Sequence, residues 1–156
     1  MAGAAPCLII KDERNRETAM TDGDGVLAAN LEFYRAFSAR DLAAMEALWA
    51  RRAPVACIHP GWPALAERGA VIESWQRILG SPDAPRIACY DEQVLLYGDI
   101  ALVVCEEELE GGTLIASNLF VREDGAWKIA HHQAGQLAVR PPQARRERPP
   151  PRDRLN

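Results

Sequence analysis

Between residues 86 and 134 the chain consists of four apolar-rich stretches broken by three dipeptides, Gly98-Asp99, Gly111-Gly112 and Asp124-Gly125. Gly-Gly and Asp-Gly accept the positive φ that two-residue hairpin turns demand, and Gly-Asp suits the mirror turn with glycine first. The spacing predicts strands at about 86–97, 100–110, 113–123 and 126–134 joined by tight turns. A meander of this kind must pair as an antiparallel sheet, and the residues before it must cover at least one of its faces.

Upstream the period changes to that of a helix. Leu27, Asn30, Leu31, Tyr34 and Phe37 fall on one helical face, with Asp24 as the expected N-cap. Asp41 is expected to cap a second helix whose buried side is Leu42, Met45, Leu48 and Trp49. Val55 to His59 reads as a short strand ending at the turn Pro60-Gly61-Trp62-Pro63, and a third helix runs from about Arg68 to Leu79. The predicted order is α-α-β-α-β-β-β-β, an α+β fold with a long mixed or antiparallel sheet.

A chain of 156 residues has room for one domain. Residues 1–23 carry no periodicity and are expected to be a disordered extension, with Met20 a candidate for the true start. The domain is placed at residues 24–138. Residues 139–156 are expected to be an extended Pro/Arg-rich tail, because five of the eleven prolines fall there. Six arginines against Glu147 and Asp153 give the stretch from Arg140 to Asn156 a charge of +4, so the formal net charge of −4 leaves −8 on residues 1–139. A part so acidic is a poor partner for nucleic acid. The four cysteines form no CxxC pair and are expected to be reduced. Cys7-Leu8-Ile9-Ile10 is too short for a signal-peptide core, and no apolar run is long enough to span a membrane. A cytoplasmic protein without a membrane partner is the expectation.

With each turn taken as a two-residue loop, the whole sheet can be indexed. Trp127 then faces Arg122, Ile129 faces Phe120 and His131 faces Asn118, while His132 faces Ser117 on the opposite side. Glu92, Cys105, Asn118 and His131 align in one row. One face carries Val94, Leu96, Val103, Leu114, Phe120, Trp127 and Ile129 and suits packing on helices. The other carries Leu95, Tyr97, Ile100, Leu102, Val104, Ile115, Leu119 and Val121, too apolar to be left in water. A second copy of the chain is the expected cover.

The run Phe33-Tyr34-Arg35-Ala36-Phe37, with Asp41-Leu42, Leu48-Trp49, His59-Pro60-Gly61-Trp62, Ala70-Val71-Ile72, Asn118-Leu119-Phe120 and Trp127-Lys128-Ile129 before His131-His132, resembles the SnoaL-like branch of the nuclear transport factor 2-like superfamily over residues 24–138. The resemblance implies a cone in which a curved sheet wraps the N-terminal helices around a pocket, and a homodimer joined through the sheet. Its enzymes include ketosteroid isomerases, polyketide cyclases, scytalone dehydratases and limonene epoxide hydrolases, and other members only bind ligands or mediate assembly. Fold alone does not choose among them.

By the same resemblance, His59 before Pro60 takes the place of the isomerase's general-base Asp, and Asn118, two residues before Phe120, takes that of its protonated Asp donor. An imidazole can move a proton near neutral pH, and an amide NH₂ can steady an oxyanion. The alternative for His59 is a structural one, closing the Pro60-Gly61 turn. Tyr34, Trp62, Trp75, Phe120 and His131 are the expected pocket residues, whereas Trp49 and Trp127 are assigned to the core. Cys57 and His59 share a strand face, but His131 and His132 point opposite ways, so neither a metal nor another cofactor is expected. No phosphate loop, nucleophile elbow or nucleotide fingerprint occurs. Two functions stay open: a module that binds a small apolar ligand, or an isomerase, cyclase or dehydratase-type enzyme using His59 and Asn118.

Overall fold

A computed structural model describes residues 13–137. Three helices, α1 (Glu13–Ser38), α2 (Leu42–Leu48) and α3 (Arg68–Gly80), alternate with five strands, β1 (Ala56–Ile58), β2 (Ala88–Tyr97), β3 (Ile100–Leu109), β4 (Gly112–Glu123) and β5 (Ala126–Gln136), in the expected order. The strands form one curved sheet in the order β1-β5-β4-β3-β2. β1 pairs parallel to β5, and the other neighbours are antiparallel. The helices fill the concave side, where Phe33, Met45, Trp49, Val103, Phe120 and Ile129 are fully buried. Each such side chain contributes roughly 1.5–3 kcal/mol relative to exposure.

Local chemistry accounts for most of the boundaries. The Asp41 side chain accepts the Ala44 N–H at 3.0 Å and caps α2. Asp124 and Gly125 both have positive φ, 51° and 78°, as the tight turn between β4 and β5 requires. Glu123 locks the loop after α2 against the sheet by accepting the backbone N–H groups of Arg51, Arg52 and Ala53 at 2.9–3.0 Å. Those bonds, with Arg52 nearby, hold its carboxyl down at about pKa 2.

Three expectations are corrected. α1 does not begin at Asp24 but runs through it from Glu13, and within it the Asp22 side chain accepts from Arg122 at 2.6 Å. One turn on, Gly25 lets α1 approach the sheet so closely that a Cβ there would lie 3.3 Å from the Trp127 ring. Second, the β3–β4 connection is Glu110-Gly111 rather than Gly111-Gly112. Gly112, at φ 143°, already pairs with Leu109, so Asn118 lies opposite Val103 instead of Cys105. A shift of two leaves every side chain on its expected face.

Third, the expected row is broken by two irregularities. One falls between Tyr90 and Gln93, where Asp91 has φ 52°. The other inserts Ala130 into β5: Phe120 pairs with Ile129, but Leu119 pairs with His131 and Asn118 with His132. Beyond Ala130 the inward residues of β5 change from odd to even numbers. The Ile129 carbonyl accepts the Ala50 N–H at 2.9 Å, which ties the bulge to the loop after α2. Leu95, Tyr97, Ile100 and Ile115 remain exposed on the convex face. The Pro/Arg-rich tail and the first twelve residues lie outside the described residues.

Candidate functional site

Inside the cone a chain of polar side chains runs across an otherwise apolar core. It begins on α1, where Asn30 and Tyr34 stand one turn apart on the buried face. The Tyr34 hydroxyl donates to Glu107 Oε1 on β3 at 2.8 Å. Its single proton is thereby used, so the 3.2 Å contact with Cys105 Sγ has the thiol as donor. The Asn118 amide on β4 donates both hydrogens, to Asn30 Oδ1 at 2.8 Å and to the Tyr34 oxygen at 3.3 Å. Its carbonyl oxygen therefore faces His132 Nδ1 on β5, 2.6 Å away, and Nδ1 must carry the proton.

A second pair lies beside the first. Ser74 on α3 donates to the Val71 carbonyl at 2.7 Å, so its oxygen accepts from His59 Nε2 at 2.8 Å. His59 thus holds its proton on Nε2, and Nδ1 is its acceptor. The side chain bonds to α3 and not to the turn that follows it. Aromatic rings enclose both histidines. Trp75 is edge-on to His59 at 4.7 Å between centroids, Phe33 lies 5.0 Å from His132, and the two imidazoles are 6.5 Å apart.

Burial sets the protonation states. It lowers His59 from 6.5 to about 4 and His132 from 6.5 to about 3, so both rings are neutral at pH 7. Burial raises Glu107 from 4.5 to about 7 against the opposing hydrogen bond from Tyr34. It also holds the Tyr34 phenol well above its ordinary value, with the charge of Glu107 as the next cause. The Cys57 thiol is pushed up to about 12, chiefly by burial, which keeps it protonated and a poor nucleophile.

At the end of the sheet where β3 turns into β4, a surface groove of about 790 Å³ runs between Arg40, Pro60, Arg86, Leu109, Leu114 and Gln136. No residue of the polar chain lines it, but two of its lining residues adjoin that chain: Pro60 follows His59, and Leu114 pairs across the hairpin with Glu107. Ala116 and Ala134 come next on the inner face, then Asn118 and His132. A depression of about 480 Å³ near Trp49, Arg51, Glu123 and Lys128 lies at the other end of the hairpin.

The structure brings His59, Tyr34, Asn118 and Trp75 of the expected site into one cluster. Trp62 is 39% exposed, with its ring 5.0 Å from that of His59 and Arg77 over its face. Phe120 is a core residue, two positions past Asn118. His131 is not in the cluster: the extra residue Ala130 turns it to the convex face and puts His132 in its place. Asn30, Ser74, Glu107 and His132 were missed. Glu107 was detectable, since on β3 it shares the inward parity of Val103 and Cys105.

A curved five-stranded sheet closed over helices, with a polar cluster in its interior, defines the α+β cone of NTF2-like proteins. The chain belongs to the SnoaL-like domain family, whose pattern it matches over residues 26–138. It is similar to a structure from Streptomyces avermitilis named as a putative dehydratase of the NTF2-like family, with 32% identity, 78% of this chain and 99% of that chain covered, and a TM-score of 0.71. A Thiobacillus denitrificans structure named as a putative calcium/calmodulin-dependent protein kinase type II association domain shares 33% identity over 70% of this chain and 93% of that one, with a TM-score of 0.64. The F-box protein SKIP8 of Arabidopsis thaliana is 26% identical over 116 residues, which are 73% of this chain. The match spans about half, 50%, of that curated relative's length. Among the described residues no helix is long and apolar enough to cross a membrane.

Proposed function

We propose that the chain is a small-molecule-binding domain that takes a small, largely apolar ligand into the interior of the cone and works as a homodimer joined through the convex sheet face. The buried polar chain carries the reading. Asn30, His59, Ser74, Glu107, Asn118 and His132 are all buried in a core that aliphatic residues could fill, and desolvating such groups costs free energy that hydrogen bonding only partly offsets. Retaining them makes sense if they meet a ligand. The groove beside Pro60 and Leu114 supplies the approach, and the flat rings of Phe33 and Trp75 supply apolar walls.

A thermal-shift screen of apolar ring compounds tests this, with His59→Ala and Asn118→Ala in parallel. The expected outcome is a saturable rise in melting temperature that shrinks in both variants. Equal shifts in all three proteins would remove both residues from the site.

A second reading, an enzyme of the isomerase, cyclase or dehydratase type, draws support from the Streptomyces relative and from His59, a neutral imidazole whose unprotonated Nδ1 is met by the weak donor thiol of Cys57, 3.9 Å away, which a substrate proton can displace. In that reading His59 accepts a proton, and Asn118 must exchange its bond to Asn30 for one to the substrate oxygen. Turnover that is lost in His59→Ala while ligand binding persists would favour it over binding alone.

A further inference from the structure

Two polar atoms in the cluster are left over once the hydrogen bonds are assigned. The indole Nε1–H of Trp75 is buried with no partner, although buried donors are almost always paired. His132 is the second. Because both Asn118 hydrogens go to Asn30 and Tyr34, Nδ1 of His132 donates to the Asn118 oxygen, and Nε2 is left as a lone pair with no hydrogen bond among the described residues. The Trp75 and His132 rings are 5.7 Å apart between centroids, and Phe33 contacts both, at 5.4 and 5.0 Å. A donor and an acceptor, both without partners, therefore sit in one aromatic enclosure.

From this arrangement we infer that the interior site selects a neutral hydroxyl group carried on a ring, whose oxygen accepts from the Trp75 indole and whose O–H donates to His132 Nε2. A hydroxyl is the smallest group that satisfies both atoms at once. A ketone or ether would use the indole and leave Nε2 unpaired, and such a loss discriminates strongly in a buried site. A carboxylate would bring a charge to a place where, among the described residues, no lysine or arginine is buried and Glu107 is already present. Glu107, Tyr34 and Asn118 act as positioning residues: they hold His132 in the tautomer that accepts at Nε2.

The inference rests on the interior-binding reading above, and the experiment separates the two. The full chain is titrated with 2-naphthol and with 2-methoxynaphthalene, which has the same rings but no donor, and binding is followed by calorimetry. The expected result is that the naphthol binds at least about tenfold more tightly, and that Trp75→Phe, which keeps an aromatic wall and deletes an unpaired donor, weakens the naphthol by about the same factor. Equal affinity for the two compounds in the wild type overturns the hydroxyl selection and leaves interior binding standing. If neither compound binds, both readings are overturned. A long-range proton–nitrogen spectrum gives a readout without mutation: the His132 Nε2 resonance should be that of an unprotonated nitrogen and move upfield with naphthol. A resonance that stays in place under saturating naphthol would refute the contact.

Discussion

Between pH 4.5 and 7 the folded chain keeps a proton on Glu107 that the unfolded chain releases, since burial raises this carboxyl to about 7 from 4.5. The associated stability is full below about pH 4.5 and is lost as pH rises through 7. His59 and His132 act in the opposite direction. Their folded values, about 4 and about 3, lie below the usual 6.5, so the unfolded chain binds protons that the folded one refuses, and stability falls as pH drops from 6.5. Two histidines against one carboxyl leave a net slope of about one proton on the acid side. The melting temperature should therefore peak near pH 6.5. Glu107→Gln should remove the decline above the peak and steepen the one below it; a profile identical to the wild type would show that Glu107 does not titrate in this way. Glu107 lies in the run Glu106-Glu107-Glu108, which reads as a solvated stretch until strand alternation is applied. His59, Asn118 and Tyr34, singled out by resemblance alone, are all buried in the interior of the fold. His132 was not legible, because its orientation depends on a backbone irregularity.

The elements themselves were largely legible from turn chemistry and period. Asp41 capped the helix it was expected to cap, and Asp124-Gly125 made the expected turn. What failed depended on contacts distant in sequence. The extra residue at Ala130 is tied to Ala50 through the Ile129 carbonyl, and the part of α1 before Asp24 is joined to the sheet by the Asp22–Arg122 ion pair. No local pattern encodes any of these. Glu123 is the same kind of long-range tie, and its removal is informative. Glu123→Ala leaves three backbone N–H groups of residues 51–53 without their carboxylate, so a loss of roughly 2–3 kcal/mol is expected in urea unfolding, with the slope unchanged. Asp41→Ala removes one N–H partner at the start of α2 and should cost about 1 kcal/mol. If Glu123→Ala cost no more than Asp41→Ala, the three-way clamp would not hold the loop.

At the scale of the whole molecule, the proposed dimer rests on the convex face of the sheet. On β2, β3 and β4 its even and odd positions were assigned correctly from the sequence, because the register error between β3 and β4 was of two residues and preserved the faces, whereas on β5 they were exchanged beyond Ala130. Leu95, Tyr97, Ile100 and Ile115 are exposed by 40%, 61%, 43% and 37%, and half-buried Leu102, Val104, Leu119 and Val121 continue the patch across three strands. Apolar surface on this scale, contiguous and facing away from the core, is what one copy would offer another. Sedimentation at micromolar concentration should give twice the chain mass of 17.2 kDa. Ile115→Lys combined with Leu119→Lys should give a folded monomer, since both side chains point away from the helices and their replacement leaves the core intact; a wild type that sediments at the chain mass would end the dimer reading. The same variant tests whether the interior is complete in one chain. Asn30, Tyr34, His59, Trp75, Asn118 and His132 all come from one copy and lie on the opposite side of the sheet from the proposed contact. The monomer should therefore bind 2-naphthol as tightly as the dimer, and a large loss of affinity on dissociation would mean that the second copy holds the cone in its binding shape.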